Sequence, residues 1–346
     1  MTGATLAIRP RALGDVVLVT PALRALKRGS PGARLEVVTD PRYAPLLEGL
    51  EFVDRVWTLD RSFRATAALI ATLRRRGIER VVDFFGNART AAIAALCGAR
   101  FRFGYDLRGR RAAYRVRVPR GLTLAGERRE HAAATHVRLA VAAGGVADGL
   151  EARVAVSPAA RGAATGLLGK LGVEAPERAV GLVAAGTWPS KTWPLSHAAV
   201  LARRLLGAGY DVLAILGPGE ERIGHDLESL APGVRPLPPC DVGVLAAVIE
   251  RLAAVVGTDS GPRHIAAALE VPTFAWFGPT HPDTWNPAGA RHGFIRTELP
   301  CRACDRTHCP HWNCMPALAP ERVSTPVLEH LARHGRTADL GTAARA

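Results

Sequence analysis

Three stretches of this chain bring together residues whose types and spacing suit chemistry on an anionic ligand. The densest is 255–280, VVGTDSGPRHIAAALEVPTFAWFGPT, where Val255 and Val256 give way to Gly257-Thr258-Asp259-Ser260-Gly261-Pro262 and an apolar pattern resumes at Ile265–Leu269. That is a buried strand stopping in a polar, glycine-bearing turn from which a helix starts, with Ser260 placed as its N-cap and Pro262 in the first turn. Free N–H groups and the positive end of the helix dipole make an anion site there, and Gly261 lets a phosphate approach the backbone. Taken alone, the same tripeptide reads as a helix cap, and His264 reads either as a ligand contact or as a structural histidine fixing the turn. The next buried strand is Pro272–Gly278, so the turn lies at the carboxyl ends of the strands, where α/β units bind ligands.

The second stretch is RPRALGDVVLVTPALRAL, which follows a short strand, Thr5–Arg9. Gly14-Asp15 again falls on the carboxyl side of a strand. The helix there begins either with Asp15 as N-cap or only at Thr20-Pro21, and in both cases Asp15 stands at a strand–helix junction, where by itself it reads as a cap. The third stretch, Gly186-Thr187-Trp188-Pro189-Ser190-Lys191-Thr192-Trp193-Pro194, follows the strand Ala179–Ala185. Only Lys27, Lys170 and Lys191 are lysines in this chain, and Lys191 could set a point charge on a diphosphate or be a solvated loop residue.

These loops need a scaffold, and the chain alternates strand and helix throughout. LEVVTD (35–40), VDRVWTLD (53–60) and RVVDFFG (80–86) read as strands, with a helix at 63–75 and another at 131–143. Residues 147–177 read as a linker with one helix at 159–171. A second series has strands at 179–185 and 211–217 and helices at 196–207 and 241–253, with an acidic helix start at Gly219-Glu220-Glu221. Alternation of this kind predicts a parallel sheet covered on both faces in each half. No G-x-G-x-x-G opens either half, and Gly217-Pro218-Gly219 is too short for one, which disfavours a nicotinamide enzyme.

Composition narrows the partners. The net charge is +14, almost all from arginine, and ten arginines face only Asp106 and Glu127 between Arg100 and Arg129. That stretch reads as a solvated face or as attraction to an anionic glycolipid or membrane leaflet. Its aromatic residues lack the interleaving of a single-strand nucleic-acid platform, so no nucleic acid is expected. With no membrane-length apolar run and no signal-like N-terminus, the expected location is cytoplasmic, with membrane association on the cytoplasmic face. Cys301, Cys304, Cys309 and Cys314 form C-x2-C-x4-C-x4-C, which reads as a structural zinc knot or as unligated thiols.

TDSGPRHIAAAL followed by FGPT, GDVVLVTPALRALKR and RFGYDLRGRR (102–111) together resemble the signatures of glycosyltransferase family 9, the heptosyltransferases of lipopolysaccharide core assembly. The resemblance covers nearly the whole chain. It implies the α/β GT-B architecture, two Rossmann-like domains with parallel sheets facing across a cleft: 1–160 for the acceptor and 175–335 for the nucleotide sugar, the latter with the Cys-rich loop 301–314. It implies inverting, metal-independent transfer of a heptose or related sugar from a nucleotide-diphosphate donor, ADP-heptose, to a lipopolysaccharide inner-core or related glycolipid acceptor. Asp15 then matches the proposed catalytic base, with Gly14 and Arg11 on the acceptor side. Asp259, Ser260, Gly261 and His264 match the turn at the donor diphosphate, Lys191 the phosphate-binding lysine, and Thr187 and Trp188 flank it. Glu220 or Glu221 falls where the family places an acid on the donor ribose. No cofactor is required, because a lysine and a helix N-terminus can carry the charge of the leaving diphosphate. Two other readings are a nucleotide-sugar epimerase on the same fold and a non-catalytic basic binding protein. The latter explains the arginines but not Asp15, Lys191 and 255–280 together.

Overall fold

The computed structural model describes residues 3–60, 62–121, 129–186, 188–301 and 303–335; Thr187, Glu127, Arg128 and the last eleven residues lie outside them. The chain divides into two compact units, Met1–Ala155 and Val156–Ala346.

In the first unit the elements run β1 (Ala4–Ile8), α1 (Leu13–Leu18), α2 (Thr20–Gly29), β2 (Leu35–Thr39), β3 (Arg55–Thr58), α3 (Phe63–Arg75), β4 (Ile78–Asp83), α4 (Ala88–Leu96), β5 (Phe101–Tyr105), β6 (Val116–Val118) and α5 (Ala132–Ala142). The second runs α6 (Pro158–Lys170), β7 (Ala179–Val183), α7 (Leu195–Gly207), β8 (Asp211–Ala214), α8 (Glu221–Leu230), β9 (Val234–Pro236), α9 (Val242–Ile249), β10 (Ala254–Thr258), α10 (Gly261–Ala268), β11 (Thr273–Phe277), α11 (Pro282–Trp285), β12 (His292–Arg296) and α12 (Pro320–His334). Each unit has one six-stranded sheet, β3-β2-β1-β4-β5-β6 and β12-β11-β10-β7-β8-β9, and every pairing is parallel. Numbered within its unit, the second order repeats the first: 3-2-1-4-5-6, the doubly wound arrangement in which strand direction of travel reverses between strands 1 and 4. Ligands of such sheets bind at that reversal, so the chemistry is directed to the loops after β1 and β4 and after β7 and β10.

Central strands are apolar because both of their faces are covered: β1, β7, β10 and β11 are buried at every position. Gly257 sits between the two middle strands of the second sheet, where a Cβ would stand 2.4 Å from the carbonyl oxygen of Val183, so the strand before the turn admits no side chain there. Behind the sheet, the rings of Trp193 and Trp276 pack with centroids 4.6 Å apart, and the Trp193 indole N–H donates to the Leu318 carbonyl at 2.9 Å.

The local readings need three corrections. Asp15 is neither an N-cap nor ahead of a helix that waits for Thr20: α1 starts at Leu13 with Ala12 as N-cap, Asp15 lies in its first turn, and the chain re-enters a helix, α2, after Val19. Ser260 occupies the N-cap position of α10, but its side chain makes no cap bond, and its Oγ is buried with no hydrogen-bond partner. The stretch 147–177 does carry the division between the two units, after Ala155, and the expected helix, as α6. Its first part bonds to the first unit by Arg153 N–H to Thr20 Oγ1 and Ala155 N–H to Leu46 O, while α6 packs on α9. The helix expected over 241–253 stops at Ile249.

Candidate functional site

In the second unit, the loops after β7 and β10 meet around Asp259. Lys191 reaches it from 68 positions away, with Nζ 2.8 Å from Oδ2 and 3.2 Å from the Asp259 carbonyl. Arg263, one turn into α10, puts Nη2 3.0 Å from Oδ1, and the Thr280 hydroxyl donates to Oδ2 at 2.9 Å. His264 Nε2 stands 3.8 Å from Oδ1. Burial by itself would push the Asp259 carboxyl up, yet Lys191, Arg263 and His264 around it hold it well below the usual carboxylate range. Asp259 is therefore an ionised anchor. A carboxylate repels a diphosphate, so its contribution is to hold two cations at the start of α10, at the positive end of the helix dipole, where among the described residues Ser260 Oγ is without a partner. One negative charge against two positive ones leaves a net positive site at that helix start.

Lys191 keeps 15% of its side chain exposed, and its ammonium lies 4.4 Å from the centroid of Trp188 and 5.9 Å from that of Trp285. The two rings confine the cation without neutralising it. Gly261 begins α10. Of the two acidic candidates, Glu220 turns back to accept from the Gly217 N–H at 2.7 Å, while Glu221 is exposed in the first turn of α8. Thr187 lies outside the described residues.

The Cys-rich loop braces both site loops. Ala303 and Asp305 donate backbone N–H bonds to Gly278 O and Pro279 O, next to Thr280, and Ser190, next to Lys191, bonds to Arg306 O and Thr307 O. Cys314 is buried, Cys309 half-buried, and Cys301 and Cys304 are exposed. Among the described residues no three His, Cys, Asp or Glu side chains are grouped so as to hold a metal ion. As they stand, the four thiols are not a ready donor set.

In the first unit, Asp15 Oδ1 pairs with Arg9 Nη2 at 2.6 Å, and Oδ2 accepts from the Ala12 N–H at 3.4 Å. Arg9 is 1% exposed, and its other terminal nitrogen donates to Phe84 O, at the end of β4. The pair thus spans the reversal between β1 and β4. Arg11 is exposed, with its guanidinium 5.8 Å from the Phe85 ring, and Gly14 is half-buried beside Asp15.

Sequence reasoning missed Arg9, Arg263, Thr280 and Trp285. Arg263 was accessible as an (i, i+4) partner of Asp259 on a helix start. Arg9 was not, because nothing in strand–loop spacing says that a residue at the end of β1 folds back onto one in the first turn of α1.

The sequence profile of glycosyltransferase family 9 (heptosyltransferase) matches residues 66–314. Lipopolysaccharide heptosyltransferase 1 of Pseudomonas aeruginosa is 33% identical over 128 residues, a match that covers 36% of this chain and 35% of that protein. Among solved structures, a glycosyltransferase family 9 protein of Veillonella parvula superposes with a TM-score of 0.81 at 20% identity, covering 96% of this chain and 97% of its own. The Escherichia coli heptosyltransferase WaaC, solved with ADP, gives 0.73 at 22% identity over 94% and 99%. At such identities the structural likeness speaks for the fold, which is GT-B, with two Rossmann-like domains.

Proposed function

The chain belongs to glycosyltransferase family 9, and on that premise we propose that it moves a heptose or related sugar from a nucleotide-diphosphate donor, ADP-heptose, to a lipopolysaccharide inner-core or related glycolipid acceptor. The observation that carries this reading is the cationic site at the start of α10, where Asp259 holds Lys191 and Arg263 beside a Ser260 hydroxyl that has no partner among the described residues. It supports donor binding by the second unit, 156–346, with Lys191, Ser260, Gly261 and the α10 N–H groups on the diphosphate and Trp188 alongside. Asp259, Arg263 and His264 shape the site. Glu221, exposed at the start of α8, is better placed than Glu220 to reach a ribose hydroxyl.

In this reading Asp15 of the first unit takes the proton from the acceptor hydroxyl as that oxygen attacks the anomeric carbon. The bond to the diphosphate breaks on the opposite face, so the configuration inverts. Charge growing on the leaving diphosphate meets donors already in place, which lowers the barrier without a divalent ion. Acceptor binding falls to the first unit near Gly14 and Arg11. Among the described residues no helix is long and apolar enough to cross a membrane, and the arginine-rich segment supports peripheral contact with the cytoplasmic face of the inner membrane. A structural zinc on Cys301, Cys304, Cys309 and Cys314 rests on spacing alone. Metal analysis of protein purified without chelator tests it, and a stoichiometry near zero refutes it.

The deciding experiment follows nucleotide release from ADP-heptose with and without a core-glycolipid acceptor, in EDTA and in Mg²⁺. Acceptor-dependent ADP release that EDTA leaves unchanged, with a product of opposite anomeric configuration by NMR, is the expected result. Acceptor-independent conversion of the sugar would make the enzyme an epimerase, and no turnover or binding of any nucleotide sugar would sink the transferase reading.

A further inference from the structure

We propose that Arg9 is the positioning residue of Asp15: it fixes one carboxylate oxygen and leaves the other oxygen to receive the acceptor's proton. The inference rests on the reading of Asp15 as the base.

Arg9 ends β1 with its backbone N–H bonded to Val38 O at 3.0 Å, so its stem cannot shift without disturbing the middle of the sheet. A buried guanidinium needs a counter-charge, and Asp15 supplies it at 2.6 Å. Both ends of the fork are engaged, Nη2 on Asp15 Oδ1 and Nη1 on Phe84 O. That ties the carboxylate to the ends of β1 and β4 at once. A lysine has a single ammonium and cannot make both contacts at that spacing. Among the described residues Asp15 Oδ2 has only the long bond from the Ala12 N–H, and the side chain is 24% exposed, so this oxygen is the one open to a substrate hydroxyl.

Other titratable groups surround Arg9. On β5, the Tyr105 hydroxyl lies 2.6 Å from Nδ1 of His136 on α5. Burial, then Arg9, Arg120 and His131, hold His136 well below its ordinary value, and burial pushes Tyr105 up, so neither changes charge near neutral pH. Asp83, at the end of β4, is pushed up by burial while accepting from the Tyr114 hydroxyl. Arg120 and Arg138 add to the local positive charge around Tyr105.

The test compares wild type, Arg9→Lys, Arg9→Met, Asp15→Asn and the Arg9→Met/Asp15→Asn double variant. It measures kcat and KM for the donor, ADP affinity, and folding by circular dichroism. Arg9→Met should lower kcat by roughly 10- to 100-fold through lost orientation while leaving KM for the donor nearly unchanged. Arg9→Lys should fall between, and carries the test if the Met variant does not fold. ADP affinity should stay within about twofold of wild type, and the double variant should be no slower than Asp15→Asn by more than about twofold, as for residues acting as one unit. A folded Arg9→Met or Arg9→Lys enzyme with wild-type kcat, beside an inactive Asp15→Asn, overturns the role of Arg9 and leaves the base standing. An active Asp15→Asn overturns both.

Discussion

Replacing Asp259 by Asn keeps the shape of the anchor and removes its charge, which leaves two cations facing each other. Arg263 is 1% exposed and Lys191 15%, so neither has bulk water to take over from the carboxylate. Removing one partner of a buried ion pair costs about 3–5 kcal/mol, a large part of the roughly 5–15 kcal/mol that holds a domain folded. Lys191 can swing outward, which favours the lower part of that range. For a unit of this size each kcal/mol is worth about 2–4 °C, so the melting temperature should drop by roughly 6–20 °C by calorimetry at pH 7.5. A second readout is acid titration. The folded-state pKa of Asp259 is depressed below its unfolded value, so its stabilisation is complete above about pH 4 and is lost as pH falls further. The stability gap between wild type and variant should narrow in that acid range. A variant melting within about 2 °C of wild type, less than 1 kcal/mol, or a gap that does not narrow below pH 4, would refute the assignment of Asp259 as the ionised anchor.

Lys191→Ala should weaken ADP binding by roughly 1.5–3 kcal/mol, the range of a charge-assisted hydrogen bond; calorimetric affinity equal to wild type excludes Lys191 from the donor. Ser260→Ala should leave urea stability within about 0.5 kcal/mol, since no bond is lost, whereas a true serine cap costs about 0.5–2 kcal/mol; ADP affinity should nonetheless fall. His292, which bonds Thr273, is lowered to about 4, chiefly by burial. A histidine that charges more readily unfolded than folded makes stability decline as pH drops from about 6.5 to about 4, and His292→Asn should flatten that part of the curve.

Much of the scaffold was readable because buried parallel strands announce themselves as apolar runs. VVGT, FAWF and AVGLV could be assigned directly, and the polar turns that end them marked both site loops. Strands β6, β9 and β12 were not anticipated, since short or half-exposed edge strands carry no such run. The donor-site candidates Lys191, Asp259 and Ser260 were named from turn chemistry, but their division of labour was not. Capping rules made Ser260 the bonded residue and the family resemblance made Asp259 a ligand contact, whereas Asp259 holds the cations and Ser260 makes no cap bond. Long-range pairs such as Lys191 with Asp259 leave no periodic trace, and in an arginine-rich chain the buried guanidiniums of Arg9 and Arg263 look like all the others.

The shared strand order also governs how each half can be assembled as it leaves the ribosome. Strand β1 emerges first and ends in the middle; β2 and then β3 extend the sheet on one side, and β4, β5 and β6 extend it on the other. The second half grows in the same sequence from β7. No newcomer ever has to be inserted between two strands already paired, so every addition is to a free edge and no formed ladder has to be broken. The cost is that one flank of β1, buried at all five positions in the folded protein, stays unpaired until β4 has been synthesised. During translation that open flank is the surface most exposed to edge-to-edge aggregation. Slowing the ribosome between β3 and β4 should lower soluble yield far more than the same pause placed between the two halves.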